Sequence, residues 1–292
     1  MSQVTRIGVI GGSGLYEMEG LTDIREETLE TPFGSPSAPY LIGRLEGQEG
    51  VELVFLPRHG RNHEFNPSEV NYRANIFGMK ALGVSWIISV SAVGSLQEEI
   101  VPGHVVVIDQ FIDRTKNRAS TFFEKGMVAH IAFGDPVCLS LREYLLAAAA
   151  QTEATVHDGG TYVCMEGPAF STRAESNLYR SWGARVIGMT NLPEAKLARE
   201  ASISYATLAM ATDYDCWHEG HDDVTVEQVV AVLQANVSLA KRIVAAAVPL
   251  IAAHDGPAPH HEALKGALLT PEDAIDPDRR AALSPLIGHV FS

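Results

Sequence analysis

The feature that most constrains the fold is an alternation of short apolar runs with helix-like segments along most of the chain. The apolar runs have the length of buried β-strands, and the segments between several of them are typical of helices. This alternation predicts an α/β fold. The predicted strands are residues 7–10, 51–56, 86–90, 105–108, 161–165, 185–187 and 204–211, and the predicted helices are residues 68–82, 139–150, 173–182 and 193–201.

The clearest predicted helix covers residues 226–247. Thr225 and Gln228 form a capping box at its start. Apolar side chains fall on one face of this helix because they repeat at steps of three and four. They are Val226, Val229, Val230, Leu233, Val237, Ala240 and Val244.

The organisation of the chain changes near its end. Residues 1–253 contain no linker rich in proline, glycine or serine and no internal repeat, so we predict a single domain over this range. The composition then changes at HDGPAPHH, residues 254–261. This break predicts a C-terminal arm, residues 254–292, whose helical segments are too short to be stable alone.

Composition and charge disfavour several classes of partner. Of the 292 residues, 46% are hydrophobic and 20% charged, as in ordinary globular proteins. A net charge of −14, with no block rich in Lys or Arg, disfavours binding to nucleic acid or to an anionic membrane. There is no run of about 18 apolar residues and no signal-peptide pattern, so we expect a cytoplasmic protein. Three cysteines without a CxxC pair predict reduced thiols.

A glycine turn follows the first predicted strand, in IGVIGGSGLY at residues 7–16. A dinucleotide-binding loop needs G-x-G-x-x-G, but Glu17 occupies the place of the third glycine. A Walker phosphate loop is excluded too, because no Gly-Lys-Ser/Thr ends the segment. The turn suits either a small oxyanion, bound by backbone N–H groups and Ser13, or a purely structural role.

Polar residues also follow two later strands. In LPRHGRNH, Arg58 and His59 come directly after an apolar strand, where the guanidinium can take two phosphate oxygens through paired N–H groups. In VSAVGS, Ser91 and Ala92 end another strand. Each motif alone is more often a surface salt bridge or an ordinary strand end. Three such endings together predict a ligand crevice at the carboxyl ends of the strands.

Two acidic residues close a further strand in MATDYDCW. Asp213 and Asp215 project to the same side if the chain there is extended. Repulsion and burial favour protonation of one carboxyl, and a protonated carboxyl beside an ionised one matches the N7 acceptor and N6 donor of adenine. The alternatives are solvated loop aspartates or a metal pair. A metal site is disfavoured, because no pattern of His or Glu ligands accompanies the two aspartates in the nearby sequence apart from His218.

An aromatic residue lies in a polar loop, EGPAFSTR at residues 166–173. Phe170 stands there between a proline and hydroxyl residues, a position that suits stacking on a nucleobase. By itself, such a residue is more often part of the core.

A series of motifs, in this order, resembles the trimeric purine nucleoside phosphorylase family and, within it, the 5'-methylthioadenosine phosphorylases. They are GGSGLY, TPFGSPS, LPRHGRNH, VNYRANI, SAVGSLQEEI, DQFIDRT, EGPAFSTRAES, GMTNLPEAKLARE and MATDYDCW. The resemblance implies a single-domain purine nucleoside phosphorylase-like α/β fold, a distorted mixed β-sheet flanked by helices, and a homotrimer. It also implies phosphorolysis without a cofactor or metal: orthophosphate, the co-substrate, attacks C1' of 5'-methylthioadenosine, giving adenine and 5-methylthioribose 1-phosphate.

The resemblance also implies residue roles. Asp213 is the catalytic proton donor to N7, and Asp215 accepts a hydrogen bond from N6. Ser171 and Val226 stand at positions tied to substrate choice. The phosphate site falls on Ser13, Arg58, His59, Ser91, Ala92 and Thr190, and the nucleoside contacts fall on Phe170, Ile187, Met189, Asp213, Asp215, Val226, Val229, Val230 and, from a neighbouring subunit, His130.

Two features depart from the family pattern. Val93 stands where close relatives carry cysteine, and this change should not affect phosphate binding. The C-terminal arm shows no convincing match, although in this family a C-terminal helix helps to cap the active site of a neighbouring subunit.

Other functions remain open at this point. A phosphorylase of 6-oxopurine nucleosides, such as inosine or methylthioinosine, would favour an amide at the position of Asp213, because O6 is an acceptor. A nicotinamide-dependent reductase is disfavoured by the broken glycine motif. A non-catalytic purine-binding protein would release no base when phosphate is added.

Overall fold

The computed structural model describes residues 4–12, 14–218 and 226–291, except for the side chains of residues 226–231 and 233. Strands and helices alternate along the described chain, as the apolar runs predict. The strands are β1 (Thr5–Gly11), β2 (Leu21–Glu27), β3 (Tyr40–Leu45), β4 (Val51–Pro57), β5 (Trp86–Ser95), β6 (Val105–Val107), β7 (Gln110–Arg114), β8 (Val156–Asp158), β9 (Thr161–Met165), β10 (Val186–Gly188) and β11 (Ser204–Asp213). The helices are α1 (Tyr72–Ala81), α2 (Leu139–Ala149), α3 (Arg173–Ser181), α4 (Asn191–Glu200), α5 (Val226–Ala252), α6 (Pro277–Ala282) and α7 (Ser284–Ile287).

The strands form one mixed sheet, which confirms the predicted fold class. Its main path runs β2-β3-β4-β1-β5-β10-β9-β7, and β11, β6 and β8 branch from β5. Strand β5 pairs in parallel with β1 and β11, whereas its last two residues pair in antiparallel with β10. This change of partner distorts the sheet at the carboxyl end of β5.

The central strands are covered on both sides. Strand β4 (VELVFLP) is buried at every residue, and β11 (SYATLAMATD) is buried at every residue but the last. Such continuous apolar runs are typical of strands with helices on both faces. Helices α2, α4 and α5 pack against β11.

Helix α5 is the long apolar helix predicted at residues 226–247, and it continues to Ala252. Its segment Gln234–Ala252 has the length and composition to cross a membrane, but 44% of this segment is buried inside the protein. Packing on α2 and β11 accounts for the apolar face. The predicted capping residue Thr225 lies outside the described residues.

The C-terminal arm packs onto the body of the same chain. The backbone N–H of His260 donates to Ser204 Oγ at 3.1 Å, and that of Leu264 donates to Ser202 Oγ at 3.3 Å. Ser204 begins β11 and Asp213 ends it, so these two residues lie about 30 Å apart. The arm is therefore at the opposite end of β11 from Asp213, and it does not cap that residue in its own chain.

The sequence does not predict strands β2, β3, β7 and β8. Strands β2 and β7 lie at the two ends of the main path and are largely exposed, so they carry no buried apolar run. Strand β3 directly follows a segment rich in proline, glycine and serine. Strand β8 has only three residues.

Candidate active site

The carboxyl ends of β1 and β4 lie beside the middle of β5. The prediction that Ser91 and Ala92 end a strand is wrong, because β5 continues to Ser95. Strands β1 and β4 pair up to their last residues, and Ile10 of β1 pairs with Ser89 of β5. Arg58 follows β4 directly, and its backbone N–H donates to the carbonyl of Gly11 at 2.9 Å. The glycine turn and Arg58 therefore share one corner of the sheet. Ser13 lies outside the described residues, so its phosphate contact stays a prediction.

The Arg58 side chain is buried, and the protein itself uses most of its N–H groups. Its Nε donates to Glu194 Oε2 at 2.7 Å, and its Nη2 donates to Glu194 Oε1 at 2.9 Å and to Ser89 Oγ at 2.7 Å. Its Nη1 donates to the carbonyl of Val90 at 3.3 Å. The paired N–H groups expected to bind two phosphate oxygens are thus bound to a carboxylate, which presents paired oxygens in the same way. One N–H of Nη1 is not used in these contacts.

His59 uses one ring nitrogen to contact the backbone. Its Nδ1 lies 2.8 Å from the carbonyl of Phe65, and because a carbonyl can only accept, Nδ1 carries the hydrogen. The His63 ring stacks on His59 with the ring centres 4.5 Å apart. Burial, assisted by the charge of Arg58, lowers the pKa of His59 to about 4. The ring is therefore neutral at neutral pH, and Nε2 is an acceptor.

A hydroxyl cluster, formed by Ser91, Tyr162 and Thr190, lies next to Arg58 along β5. Ser91 Oγ is 3.1 Å from Tyr162 OH and 3.2 Å from Thr190 Oγ1, and all three residues are buried. The structure thus brings together the predicted Ser91 and Thr190, with the half-buried Ala92 beside them. Tyr162 is not predicted. A Cβ at Gly188 would collide with the Tyr162 hydroxyl, so glycine there allows the cluster to form.

Asp213 and Asp215 lie at the carboxyl end of β11. The extended chain expected here is wrong, because β11 has a bulge before Asp213 and Asp215 has a φ of 52° at the start of a short 3-10 turn. The two residues nevertheless lie together, since the backbone N–H of Asp215 donates to Asp213 Oδ1 at 2.8 Å. A Cβ at Gly94 would lie 2.9 Å from Asp213 Oδ1 and 3.2 Å from Asp215 Cβ. Gly94 therefore leaves the space that both residues occupy.

Asp213 has the surroundings of a carboxyl that can hold a proton. Burial raises its pKa above the usual range of an aspartate. Thr212 Oγ1 lies 2.7 Å from Asp213 Oδ2 and 3.2 Å from the carbonyl of Val93, but it has a single hydrogen to donate. When Thr212 donates to Val93, Asp213 Oδ2 is left without that hydrogen and can carry a proton of its own.

Asp215 has an oxygen with no partner. Its Oδ2 is buried and makes no hydrogen bond to any of the described residues. Burial raises the pKa of Asp215, the neighbouring Asp213 charge adds to this effect, and the nearby Ser176 hydroxyl opposes it. A buried acceptor without a donor costs free energy, so this oxygen is suited to a ligand N–H group.

Two of the other predicted nucleobase contacts lie beside these acidic residues. Ile187 is buried, and its Cγ2 lies 3.2 Å from the position of a Cβ on Gly94. The carbonyl of Ser171 accepts from Cys216 Sγ at 3.2 Å, which places the loop of Phe170 beside the turn of Asp215. Phe170 is 46% exposed, so it is not a core residue and its ring is available for stacking.

Arg118 links two loops of the site and is not predicted. Its Nη1 donates to the carbonyls of Met189 at 2.5 Å and Leu192 at 2.7 Å, and its Nη2 donates to the carbonyl of Glu166 at 2.5 Å. With Tyr72 it also lines a cleft of about 280 Å³. An arginine in a polar loop gives no sequence signal of such a role.

Other predicted residues are not brought to this place within one chain. His130 is exposed, and its backbone N–H donates to the carbonyl of Ala267 in the C-terminal arm. The side chains of Val226, Val229 and Val230 lie outside the described set. Within residues 4–12, 14–218 and 226–291 there is no group of three potential metal ligands. The three cysteines are free thiols, as predicted.

The chain belongs to the phosphorylase superfamily, whose family model matches residues 6–249. The S-methyl-5'-thioadenosine phosphorylase of Geobacter sulfurreducens is 61% identical over 289 residues, which cover 99% of both chains. The S-methyl-5'-thioadenosine phosphorylase of Thermosynechococcus vestitus is 57% identical over 97% of this chain and 98% of its own. These alignments include the C-terminal arm. The expectation that the arm has no match is therefore wrong, because the alignments extend through it.

Solved structures show the same relationship. A methylthioadenosine phosphorylase from an antarctic soil metagenomic library has a TM-score of 0.91 at 48% identity, over 98% of this chain and 99% of its own. The methylthioadenosine phosphorylase of Schistosoma mansoni, in complex with adenine, has a TM-score of 0.80 at 38% identity, over 86% and 93%. The expected purine nucleoside phosphorylase-like fold is confirmed.

Proposed function

We propose that this chain is a pentosyltransferase that catalyses phosphorolysis of 5'-methylthioadenosine, giving adenine and 5-methylthioribose 1-phosphate for purine and methionine salvage. The observation that carries the proposal is the pair of acidic residues beside Gly94. Asp213 can hold a proton, and Asp215 Oδ2 is an open acceptor. These two groups match the N7 and N6 edge of adenine.

The reaction breaks the C1'–N9 bond and forms a bond between C1' and a phosphate oxygen. The electron pair of the broken bond goes to the base, and Asp213 gives its proton to N7, which makes adenine a better leaving group. The transition state is oxocarbenium-like, so the negative charge of a positioned phosphate stabilises it. Asp215 accepts from the N6 amine and fixes the base.

Phosphate binds beside Ser91, three residues before Gly94 on β5, as co-substrate and without a cofactor. The Ser91 and Thr190 hydroxyls and the unused N–H of Arg58 Nη1 donate to its oxygens. Because the His59 ring is neutral and its Nδ1 is occupied, Nε2 accepts from a protonated phosphate oxygen. Ser13 and the backbone at Ala92 complete the set.

The remaining contacts belong to the nucleoside and to an assembly. Val226, Val229 and Val230 bind the apolar 5'-methylthio group, and Ser171 and Val226 influence substrate choice. His130 serves the pocket of a neighbouring subunit in a cytoplasmic homotrimer. Its exposure supports this role.

The test is release of free base from 5'-methylthioadenosine, adenosine and inosine, measured with and without phosphate. We expect adenine from 5'-methylthioadenosine only when phosphate is present. Faster release from inosine would favour a 6-oxopurine phosphorylase instead. Binding of 5'-methylthioadenosine without release would indicate a binding protein, and a change in nicotinamide absorbance during turnover would indicate a reductase.

A further inference from the structure

Glu194 is a fully buried carboxylate that no sequence motif assigns to the site. It lies in α4, four residues after Thr190 of the hydroxyl cluster, and its two oxygens accept from Arg58 Nε at 2.7 Å and Arg58 Nη2 at 2.9 Å. Both side chains of the pair are at most 2% exposed. A buried ion pair of this geometry fixes the plane of the guanidinium.

Neighbouring side chains hold the Glu194 carboxylate in turn. Ser89 Oγ donates to Glu194 Oε1 at 2.8 Å, and Tyr205 OH donates to the same oxygen at 2.9 Å. Asn191 Nδ2 donates to Ser89 Oγ at 2.9 Å and to Tyr205 OH at 2.6 Å. All these residues are buried, so the carboxylate has no freedom to follow a moving arginine.

The ion pair decides which part of Arg58 can meet a ligand. The Nε and Nη2 side of the guanidinium is occupied by Glu194, so Nη1 is the nitrogen that remains for phosphate. Without the carboxylate, only the neutral acceptors Ser89 Oγ and the carbonyls of Val90 and Ile10 would hold the guanidinium. Thr190 and Glu194 both lie at the start of α4. This segment therefore positions the Thr190 hydroxyl directly and the Arg58 guanidinium through Glu194.

We infer that Glu194 is a positioning residue for phosphate, acting through Arg58 and not by contact with the ligand. The inference rests on the proposed phosphorolysis. Glu194 holds the guanidinium with Nη1 toward the phosphate, beside the hydroxyls of Ser91 and Thr190.

The experiment compares E194Q and E194D with the unmodified protein in full kinetics, varying phosphate and 5'-methylthioadenosine separately. In E194Q the amide NH₂ faces N–H donors of Arg58 and displaces the guanidinium. We expect the KM for phosphate to rise about tenfold or more, and the KM for the nucleoside to change less than about twofold. E194D keeps the charge on a shorter side chain, so its KM for phosphate should lie between that of the unmodified protein and that of E194Q.

The matched control is E52Q. Glu52 is also a buried carboxylate paired with arginines, since it accepts from Arg6, Arg25 and Arg44 at 2.9 to 3.1 Å. It lies near the start of β4, six residues before Arg58 and so about 20 Å away. E52Q should lower the Tm while leaving both KM values unchanged, which separates a loss of stability from a loss of phosphate binding.

The outcomes distinguish this inference from the proposed function. If the unmodified protein releases no base in the presence of phosphate, the proposed function fails first. If the unmodified protein does release base, the positioning role is overturned by either of two results. E194Q keeps the phosphate KM of the unmodified protein, or it raises both KM values equally. Should E194Q fail to fold, E194D is the test, and a phosphate KM equal to that of the unmodified protein there overturns the inference as well.

Discussion

The two ends of the candidate site differ in how fully the protein satisfies its own polar groups. At the phosphate end, Arg58 and Glu194 bind each other, and Ser89 bridges them. At the base end, Asp215 Oδ2 makes no hydrogen bond to the described residues, and burial raises the pKa of Asp213. The phosphate end is thus built before ligand arrives, whereas the base end is completed by the ligand.

This difference indicates how each end selects its ligand. A fixed network offers donors at set positions and accepts any small oxyanion of the right size. An unpaired buried acceptor penalises a ligand that lacks the matching donor, because the acceptor then stays unsatisfied. Discrimination between bases should therefore reside in Asp213 and Asp215, and phosphate affinity in the network around Arg58.

The largest expected effect is that of Asp213→Asn, which replaces the proton donor at the base end by an amide. We expect kcat/KM for 5'-methylthioadenosine to fall about 10²- to 10⁴-fold, the usual contribution of a general acid. The amide NH₂ can donate to O6, so the preference for adenosine over inosine should narrow or invert. An unchanged preference would contradict the assignment of Asp213, and the phosphate KM serves as the internal control.

At the phosphate end, Arg58→Ala leaves the Glu194 carboxylate buried and unpaired. Losing one partner of a buried pair costs about 3–5 kcal/mol, so the Tm should fall strongly. The KM for phosphate should rise about 100-fold or more, and much more than the KM for the nucleoside. Arg6→Ala, which removes one of the arginines around Glu52, is the control. Equal changes in both KM values would argue against the phosphate role of Arg58.

The pH dependence sharpens the comparison, because Asp213, the group proposed to titrate, lies at the base end. Burial raises the pKa of Asp213. In the proposed mechanism the protonated form is the active one. As the pH rises through this pKa the proton is lost, so kcat/KM for 5'-methylthioadenosine should fall tenfold per pH unit. Phosphate also changes its ionisation, so the ratio of unmodified protein to Asp213→Asn is measured at each pH. A ratio that does not vary with pH would exclude Asp213 as the titrating donor.

Gly94→Ala tests the space at the base end. The new Cβ would lie 2.9 Å from Asp213 Oδ1 and 3.2 Å from Asp215 Cβ, and neither belongs to a long flexible side chain. Displacement of the two acidic residues should raise the KM for the nucleoside about tenfold and leave the KM for phosphate nearly unchanged. Gly50→Ala, at a glycine with open space around it, should change neither KM. An equal rise in both KM values would show that the two ends are not independent.

The sequence predicts the residues proposed to contact ligand better than the residues that hold those residues in place. Arg58 and Asp213 can be found because each directly follows or ends an apolar strand, and the ends of strands in α/β sheets meet ligands. Glu194 lies 136 residues from Arg58 in the chain, and Tyr162 lies 71 residues from Ser91. Contacts over such separations depend on the order of strands in the sheet, which no local pattern shows. The positive φ of Asp215 is also set by tertiary structure.

The smallest expected effect comes from the exposed aromatic residue of the base end. Phe170→Ala removes a ring that is 46% exposed, so the loss should be confined to stacking on adenine, about 0.5–1.5 kcal/mol. The KM for the nucleoside should therefore rise about two- to tenfold, with the phosphate KM and the Tm unchanged. Leu139→Ala, at an apolar residue that is 64% exposed at the start of α2, is the matched control and should change none of these values. A fall in Tm for Phe170→Ala alone would show that the ring is structural. The base end would then recognise adenine through Asp213 and Asp215 without a stacking surface from Phe170.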